Sequence, residues 1–337
     1  MPEFITPVEV TPFSWRSDHS KKHLLIGSCF TENIGSIMEG LKLPVMVNPF
    51  GILYNPVSVA RALRRMLSGE AYTEKDLFEH DGLWHSTSHH GSFSAATPAR
   101  ALAKINGSLE QACSFLREAD FLIITLGTSR VYELKSTGET VANCHKVPAR
   151  EFHRTRLSVA ETVTVMKEAL EKIWQANPSL KIILTISPVR HIQDGAAENQ
   201  LSKAVLLLAA DTLEKGFGRE KCACFPAYEI MMDELRDYRF YQSDMIHPSP
   251  VAVDYIWRKF SDAFLTPQAT ALGHEIAGLR KATAHRPLYP HTPQFQLFIK
   301  HSLEKTLLMA KNHPTLDFSR EIDYFSKQNA TDPLADP

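Results

Sequence analysis

A cysteine stands where a strand-like segment gives way to a helix-like one, in the stretch HLLIGSCFTENIG over residues 23–35. If the helix begins near Thr31, the Cys29 thiol lies at its N-terminus, where free backbone N–H groups and the helix dipole favour a thiolate. Gly27 allows the sharp turn that lifts this side chain out of the sheet. The position suits a nucleophile, and the alternative is a small buried cysteine that only packs.

A carboxylate and an imidazole stand three residues apart in DMIH, where Asp244 is followed by His247. The Asp244 carboxylate can fix the tautomer of His247 and stabilise the imidazolium, which leaves the other ring nitrogen to take a proton. A helix is predicted directly after this pair. Together with Cys29, the pair predicts a Cys-His-Asp arrangement for nucleophilic chemistry.

The elements that must position these residues alternate between short apolar runs and amphipathic patterns. Strands are predicted over residues 23–26, 44–47, 120–126, 181–186 and 222–225. Helices are predicted from Asn55-Pro56, from the cap Ser158 and over AENQLSKAVLLLAADTLEK. This alternation predicts a mostly parallel sheet, in which ligands bind outside the carboxyl ends of the strands.

Other polar residues follow the predicted strands and become candidates for the same crevice. Gly51 can present its backbone N–H to an anion, and the Thr128 and Ser129 hydroxyls can donate hydrogen bonds. Arg190 can hold a carboxylate or phosphate through two parallel hydrogen bonds. The alternatives are ordinary turns and a surface ion pair.

Two inserts interrupt the pattern, over residues 79–95 and 131–147. The first is rich in His and Ser, the second predicts a β-hairpin around STGE, and both can form walls over the sheet edge. After residue 265 the sequence changes to helical patterns with a Pro/His-rich connector. We therefore expect one domain over 1–265 and a helical extension over 266–337, which packs on that domain or on a partner, with a homo-oligomer left open.

Composition limits the partners. The net charge is −1 over 337 residues and the basic residues are scattered, so neither nucleic acid nor an anionic membrane is an expected partner. No apolar run is long enough to span a bilayer, and the N-terminal residues do not form a secretory signal. Five cysteines without a disulfide spacing favour a reducing cytoplasm.

Several separated motifs resemble the GSCFA domain family. They are GSCF at 27–30 together with NPFGILYNP, LGTSRVYE, NCHKVP, SPVRHIQDGAAENQ and DMIHPSPVAVDYIW. The resemblance runs to about residue 264, and the family is similar in layout to the SGNH/GDSL hydrolases. The resemblance implies a three-layer α/β/α sandwich with a flavodoxin-like, five-stranded parallel sheet. It also implies that the protein carries out ester hydrolysis or acyl transfer.

The resemblance also implies roles for single residues. Cys29 takes the position of the nucleophile in the Gly-Asp-Ser motif and Ser28 that of its aspartate, while Asp244 and His247 match the final block. The expected oxyanion donors are then the backbone N–H groups of Cys29 and Gly51 and the hydroxyl of Ser129, which stands where the related hydrolases have an asparagine.

The leading hypothesis is therefore a cysteine-dependent acyl hydrolase or acyltransferase without a cofactor. Its substrates are expected to be O-acylated small molecules or carbohydrates, by analogy with the family. Five residues are expected to contact the substrate, namely Ser28, Thr128, Arg190, His85 and His145.

Two alternatives remain. A metal-dependent hydrolase can use His85, His89 and His90 with Cys144 and His145, although no metal-binding motif of known spacing is present and we predict no metal. Cys144 and His145 also form a rival nucleophile pair, against which their opposite directions in a strand argue. A non-catalytic ligand-binding module is the second alternative, in which the changes at Ser28 and Ser129 reflect a decayed site.

Overall fold

The computed structural model describes residues 5–290 and 292–330. Its strands in this part of the chain are β1 (His23–Gly27), β2 (Val45–Val47), β3 (Leu77–His80), β4 (Leu83–Ser86), β5 (Phe121–Leu126), β6 (Arg130–Leu134), β7 (Thr140–Val141), β8 (Phe152–Arg156), β9 (Lys181–Ile186) and β10 (Cys222–Phe225). Five of them form a parallel sheet in the order β10-β9-β5-β1-β2. All five predicted strands are confirmed, and this flavodoxin-like order places the switch point between β1 and β5.

Helices connect these strands. Within the described residues they are α1 (Cys29–Gly40), α2 (Pro56–Ser68), α3 (Pro98–Glu118), α4 (Val159–Ala176), α5 (Ala196–Phe217), α6 (Ala227–Glu229), α7 (Pro250–Phe264), α8 (Pro267–Ala284), α9 (Pro293–Asn312) and α10 (Ser319–Ala330). Both predicted caps are confirmed. The Asn55 side chain accepts from the Ser58 N–H at 2.9 Å, and Ser158 forms a reciprocal capping box with Glu161.

The two faces of the sheet carry separate hydrophobic cores. Leu24 and Ile26 pack with α2 to α5, whereas Leu25 lies on the opposite face with α1 and α7. Successive strand residues point to opposite faces, so a continuously apolar strand requires helices on both sides. The result is the three-layer α/β/α sandwich that the family resemblance implies.

Both inserts fold as β-structure. The first contains the β3–β4 hairpin, and the second contains β6 and β7, which β8 extends to a three-stranded sheet. The N–H of Ala142 donates to the Thr87 carbonyl at 2.7 Å, so the two inserts contact each other directly. The hairpin predicted around STGE is confirmed.

The C-terminal helices α8, α9 and α10 surround a third, small core that includes Ile276, Phe295 and Phe325. Lys42 of α1 forms an ion pair with Glu321 at 3.0 Å, which ties this region to the sandwich. The helical extension is thus observed with one helix, α10, more than expected, while residues 331–337 of the predicted extension lie outside the described residues. Among the helices described, none is long and apolar enough to cross a bilayer.

Burial of a neutral histidine makes the first strand sensitive to acid. His23 is fully buried, its Nδ1–H donates to the Pro44 carbonyl at 2.9 Å, and its Nε2 accepts from the Ser17 hydroxyl at 2.6 Å. Burial lowers the pKa of His23 to about 4 from 6.5. Between pH 6.5 and pH 4, His23 therefore binds a proton in the unfolded chain but not in the folded chain. The free energy of unfolding consequently decreases as the pH falls.

We expect the free energy of unfolding of His23→Gln to depend less on pH than that of the wild type between pH 6.5 and 4. Across this pH window, the free energy of unfolding of the wild type should fall by about 3 kcal/mol more than that of the variant. Urea unfolding at several pH values measures it, with the exposed His301→Gln on α9 as control. Parallel curves for His23→Gln and the wild type would contradict the assignment.

Candidate active site

A cavity of about 880 Å³ opens at the carboxyl edge of the central sheet. Cys29, Thr128 and Arg190 line it from the ends of β1, β5 and β9, and His247 lines it from the segment before α7. The second insert supplies the facing wall, including Cys144. Among the described residues the first insert contributes nothing to the lining, so only one of the two inserts forms the expected wall.

The turn after β1 delivers Cys29 to this cavity. Gly27 has a φ of +146°, and a Cβ atom there would lie 2.1 Å from the Thr125 carbonyl oxygen of β5. Only glycine fits so close to the neighbouring strand. Ser28 is the N-cap and Cys29 the first residue of α1, so the helix begins two residues before the predicted start near Thr31, and Cys29 lies at its N-terminus as expected.

The Cys29 thiol does not have the low pKa that its position at a helix N-terminus favours. Burial raises the pKa of Cys29 above 9.0, and the nearby Glu32 carboxylate raises it further. The N–H groups of Cys29 and Phe30 and the ammonium of Lys203 act in the opposite direction and are outweighed. The free protein therefore holds Cys29 as a protonated thiol at neutral pH, which needs a base to become a nucleophile.

A base lies on the same cavity. The Nδ1 of His247 lies 2.7 Å from the Asp244 carboxylate, and in the neutral imidazole this hydrogen bond leaves Nε2 as the nitrogen that can accept a proton. The other Asp244 oxygen accepts the backbone N–H groups of His247 and Ile246 at 3.0 and 2.9 Å. These hydrogen bonds lower the pKa of Asp244 to about 2, so the carboxylate stays ionised. Sγ of Cys29 and Nε2 of His247 share no hydrogen bond, a contact that in such sites often tightens only when substrate binds.

A buried lysine lies behind the cavity, and the sequence analysis did not single it out. Lys203 of α5 is 1% exposed, and its ammonium donates to the carbonyls of Gly127 and Ser187, both at 2.7 Å. Burial, and secondarily Arg190, lowers the pKa of Lys203 to about 7, while the charge of Cys29 raises it. Its sequence signal is a lysine on the buried face of the AENQLSKAVLLLAADTLEK helix, next to Ser202 and one turn before Leu206.

Two expected oxyanion donors do not face the cavity. The Gly51 N–H donates to the Asn48 carbonyl at 2.7 Å, and its α-carbon packs against the Cβ of His90. Ser129 is fully buried, and its hydroxyl donates to the Ser202 hydroxyl at 3.1 Å. Both donors are used within the fold, so the structure does not support the oxyanion role expected of Gly51 and Ser129.

Asn55 provides a free amide donor on the cavity wall. Its side-chain oxygen is fixed by the Ser58 N–H, and the residue is 5% exposed. Its side-chain nitrogen has no acceptor among the described residues, and Asn55 lines the cavity together with Cys29. The capping role of Asn55 is predicted from its position before Pro56, whereas no local pattern indicates that its amide nitrogen is free on the cavity wall.

Three expected substrate contacts lie elsewhere. Ser28 is fully buried and does not line the cavity, and its hydroxyl has no partner. His85 bonds the Ser94 hydroxyl at 2.7 Å and the His80 carbonyl at 3.1 Å, and His145 donates to the Ser86 carbonyl at 2.8 Å.

The two histidine rings lie 4.5 Å apart in the interior of the inserts, where burial lowers the pKa of His145 to about 4. His85 and His145 are therefore structural, whereas Thr128 and Arg190 do line the cavity. Cys144 lines the cavity whereas His145 bonds Ser86 inside the inserts, and the two side chains share no hydrogen bond, so these neighbours form no catalytic pair. In the described part of the chain, no three His, Cys, Asp or Glu side chains are grouped to hold a metal ion.

Two family models match the chain: the GSCFA family over residues 22–260, and the GSCFA domain protein, C-terminal domain, over residues 276–331. Among solved structures, the chain is similar to a carbohydrate esterase family 3 protein from Talaromyces cellulolyticus, with 9% identity, a TM-score of 0.38, and 76% of this chain and 99% of that one covered. It is also similar to the acetyl xylan esterase Est2A from Butyrivibrio proteoclasticus, with 14% identity, a TM-score of 0.37, and coverages of 76% and 64%. No curated protein matches it.

The charges around the thiol predict how its reactivity responds to substitution. Glu32 is exposed on α1 and raises the pKa of Cys29, so Glu32→Gln should shift the pH profile of Cys29 alkylation by iodoacetamide to lower pH. The rate at fixed neutral pH then rises because it follows the thiolate fraction. Peptide mass spectrometry measures the rate, with the exposed Glu39→Gln on the same helix as control. Identical profiles for Glu32→Gln and Glu39→Gln would contradict the assignment.

Proposed function

The chain belongs to the GSCFA family, and from this membership and the cavity geometry we propose that it is a cysteine-dependent acyl hydrolase or acyltransferase. Cys29 is the nucleophile, His247 the general base and Asp244 the group that orients the imidazole. One observation carries the proposal. His247, with Nδ1 bound to the Asp244 carboxylate, lines the same cavity as Cys29.

The proposed reaction begins with a thiol rather than a preformed thiolate. As Sγ of Cys29 attacks the ester carbonyl carbon, Nε2 of His247 accepts the thiol proton, and the carbonyl π electrons move to the oxygen. The tetrahedral intermediate collapses, the alcohol leaves with the proton from the imidazolium, and a thioester to Cys29 remains. Water or an acceptor alcohol, deprotonated by His247, then attacks the thioester and restores the thiol.

The oxyanion of this intermediate needs donors that face the cavity. We assign the role to the backbone N–H of Cys29, which lies in the first turn of α1, and to the side-chain amide of Asn55. Asn55 replaces the donors expected at Gly51 and Ser129, whose hydrogen bonds are used within the fold. Because its oxygen is bound to Ser58, the Asn55 nitrogen is held in one direction, as preorganised stabilisation requires.

The substrate is proposed to be an O-acylated small molecule or carbohydrate. The cavity volume of about 880 Å³ lies in the range of small-molecule sites. Its lining combines amide, hydroxyl, imidazole and guanidinium groups with apolar side chains such as Phe152 and Ile246, so it offers contacts to both a polar alcohol part and an acyl group.

Removing either reacting group should abolish turnover. With p-nitrophenyl acetate or an acetylated sugar, Cys29→Ala should lose activity to the background rate, and His247→Ala should reduce kcat by roughly 10²- to 10⁴-fold. His274→Ala, an exposed histidine on α8, is the matched control and should retain full activity. A wild-type protein that never acquires an acyl group on Cys29 by mass spectrometry would instead support the binding-module alternative.

The choice of oxyanion donor is tested by a pair of substitutions. Asn55→Ser keeps a good N-cap but removes the amide donor, so kcat should fall by roughly 10²- to 10³-fold with little change in KM. Ser129→Ala removes a hydroxyl that faces Ser202 and should stay within a few-fold of the wild type. Melting temperatures establish that both variants fold. A larger loss in Ser129→Ala than in Asn55→Ser would overturn the assignment.

A further inference from the structure

The cavity holds one arginine that lacks a carboxylate partner in the described part of the chain. The neighbouring Arg130 and Arg154 pair with Asp194, and Arg130 also pairs with Glu198. The Arg190 guanidinium contacts a thioether instead of a carboxylate, since its Nη1 lies 3.8 Å from the sulfur of Met232. Its Nε is inaccessible to solvent and has no hydrogen-bond partner.

Other unsatisfied or positive groups surround this guanidinium. The ammonium of Lys203 lies close enough to interact with both Arg190 and the Cys29 thiol. The adjacent His191 lines the same cavity, and its Nε2 is buried without a partner. Arg190 and His191 thus line the cavity into which the thiol opens, and Lys203 adds positive charge from behind it. The carboxylates of Asp194 and Glu198 also line the cavity, but arginines already neutralise them.

We propose that Arg190 binds a carboxylate or phosphate group of the substrate, beside the thiol of Cys29. A guanidinium without a carboxylate partner, whose Nε is shielded from solvent, is costly to hold in a fold, and an anionic oxygen pair matches its planar donors in number and direction. The identification of this ligand as the ester substrate rests on the proposed function. The substrate class is thereby narrowed to acyl esters that carry an anionic group on the acyl or the alcohol part.

Arg190 can be tested without turnover by comparing two alkylating agents of almost equal size. Iodoacetate carries a carboxylate and iodoacetamide is neutral, so their rate ratio at Cys29 reports an anion site beside the thiol. Relative to the same ratio for a free peptide thiol, we expect the wild-type ratio at Cys29 to be raised roughly tenfold. Arg190→Gln should lower it to the peptide value and leave the iodoacetamide rate within about twofold, which also shows that the variant folds.

Matched variants separate the guanidinium from general charge. Arg236→Gln, an exposed arginine paired with Asp233, should retain the wild-type ratio. Arg190→Lys keeps the charge without the planar donors and should give an intermediate ratio. Equal ratios in the wild type and Arg190→Gln, or a wild-type ratio no higher than that of the peptide, would overturn the proposal. Rates are measured at the Cys29 peptide, because Cys144 lines the same cavity.

Two further arms identify the anion and keep this proposal distinct from the proposed function. Protection of Cys29 from iodoacetamide by succinate but not inorganic phosphate identifies a carboxylate, the reverse identifies a phosphate, and protection by neither contradicts the anion site. A wild-type protein that prefers iodoacetate but hydrolyses no ester refutes only the proposed function. Ester hydrolysis without the iodoacetate preference refutes only the anion site.

Discussion

The candidate site depends on two strand ends that one buried ammonium holds together. Lys203 donates to the carbonyl that follows β5 and to the carbonyl that follows β9, at the edge where β1 delivers Cys29. Burying an ammonium is costly, and two charge-assisted hydrogen bonds with the ring of Tyr228 5.6 Å away offset part of that cost. A carboxylate partner would satisfy the ammonium more fully, but it would also neutralise the positive charge behind the thiol. The carbonyl pair holds the strand ends and leaves that charge in place.

The sheet and its caps could be predicted because their signals are local. Five short apolar runs have no polar face, so each has to be covered on both sides, and the observed sandwich follows directly. Asn55 and Ser158 cap helices through contacts within three residues, which a sequence displays. Asp244 and His247 are likewise joined within one turn. Their spacing permits the hydrogen bond that the structure shows.

The remaining site residues depend on packing between distant segments, which spacing does not reveal. His85 and His145 lie 60 residues apart in the sequence, and they contact each other because the two inserts pack together. A histidine-rich segment therefore looks like a ligand site in the sequence and is a small core in the structure. The oxyanion role expected of Gly51 and Ser129 is not supported for a related reason. Whether a hydrogen-bond donor is free depends on the acceptor that the fold places next to it.

The protonation state of Cys29 decides which kind of nucleophilic chemistry the site can support. A thiolate stabilised beside an imidazolium would be reactive before substrate arrives, but burial and Glu32 raise the pKa of this thiol instead. The proton must then leave Cys29 during attack, as in a serine hydrolase, and His247 with its carboxylate partner is built to receive it. A thiol that stays protonated until a carbonyl binds is also protected from alkylation and oxidation in the free protein. The positive charge of the nearby Lys203 opposes this rise in the pKa of Cys29, so it assists the transfer of the thiol proton to His247 when a carbonyl is bound.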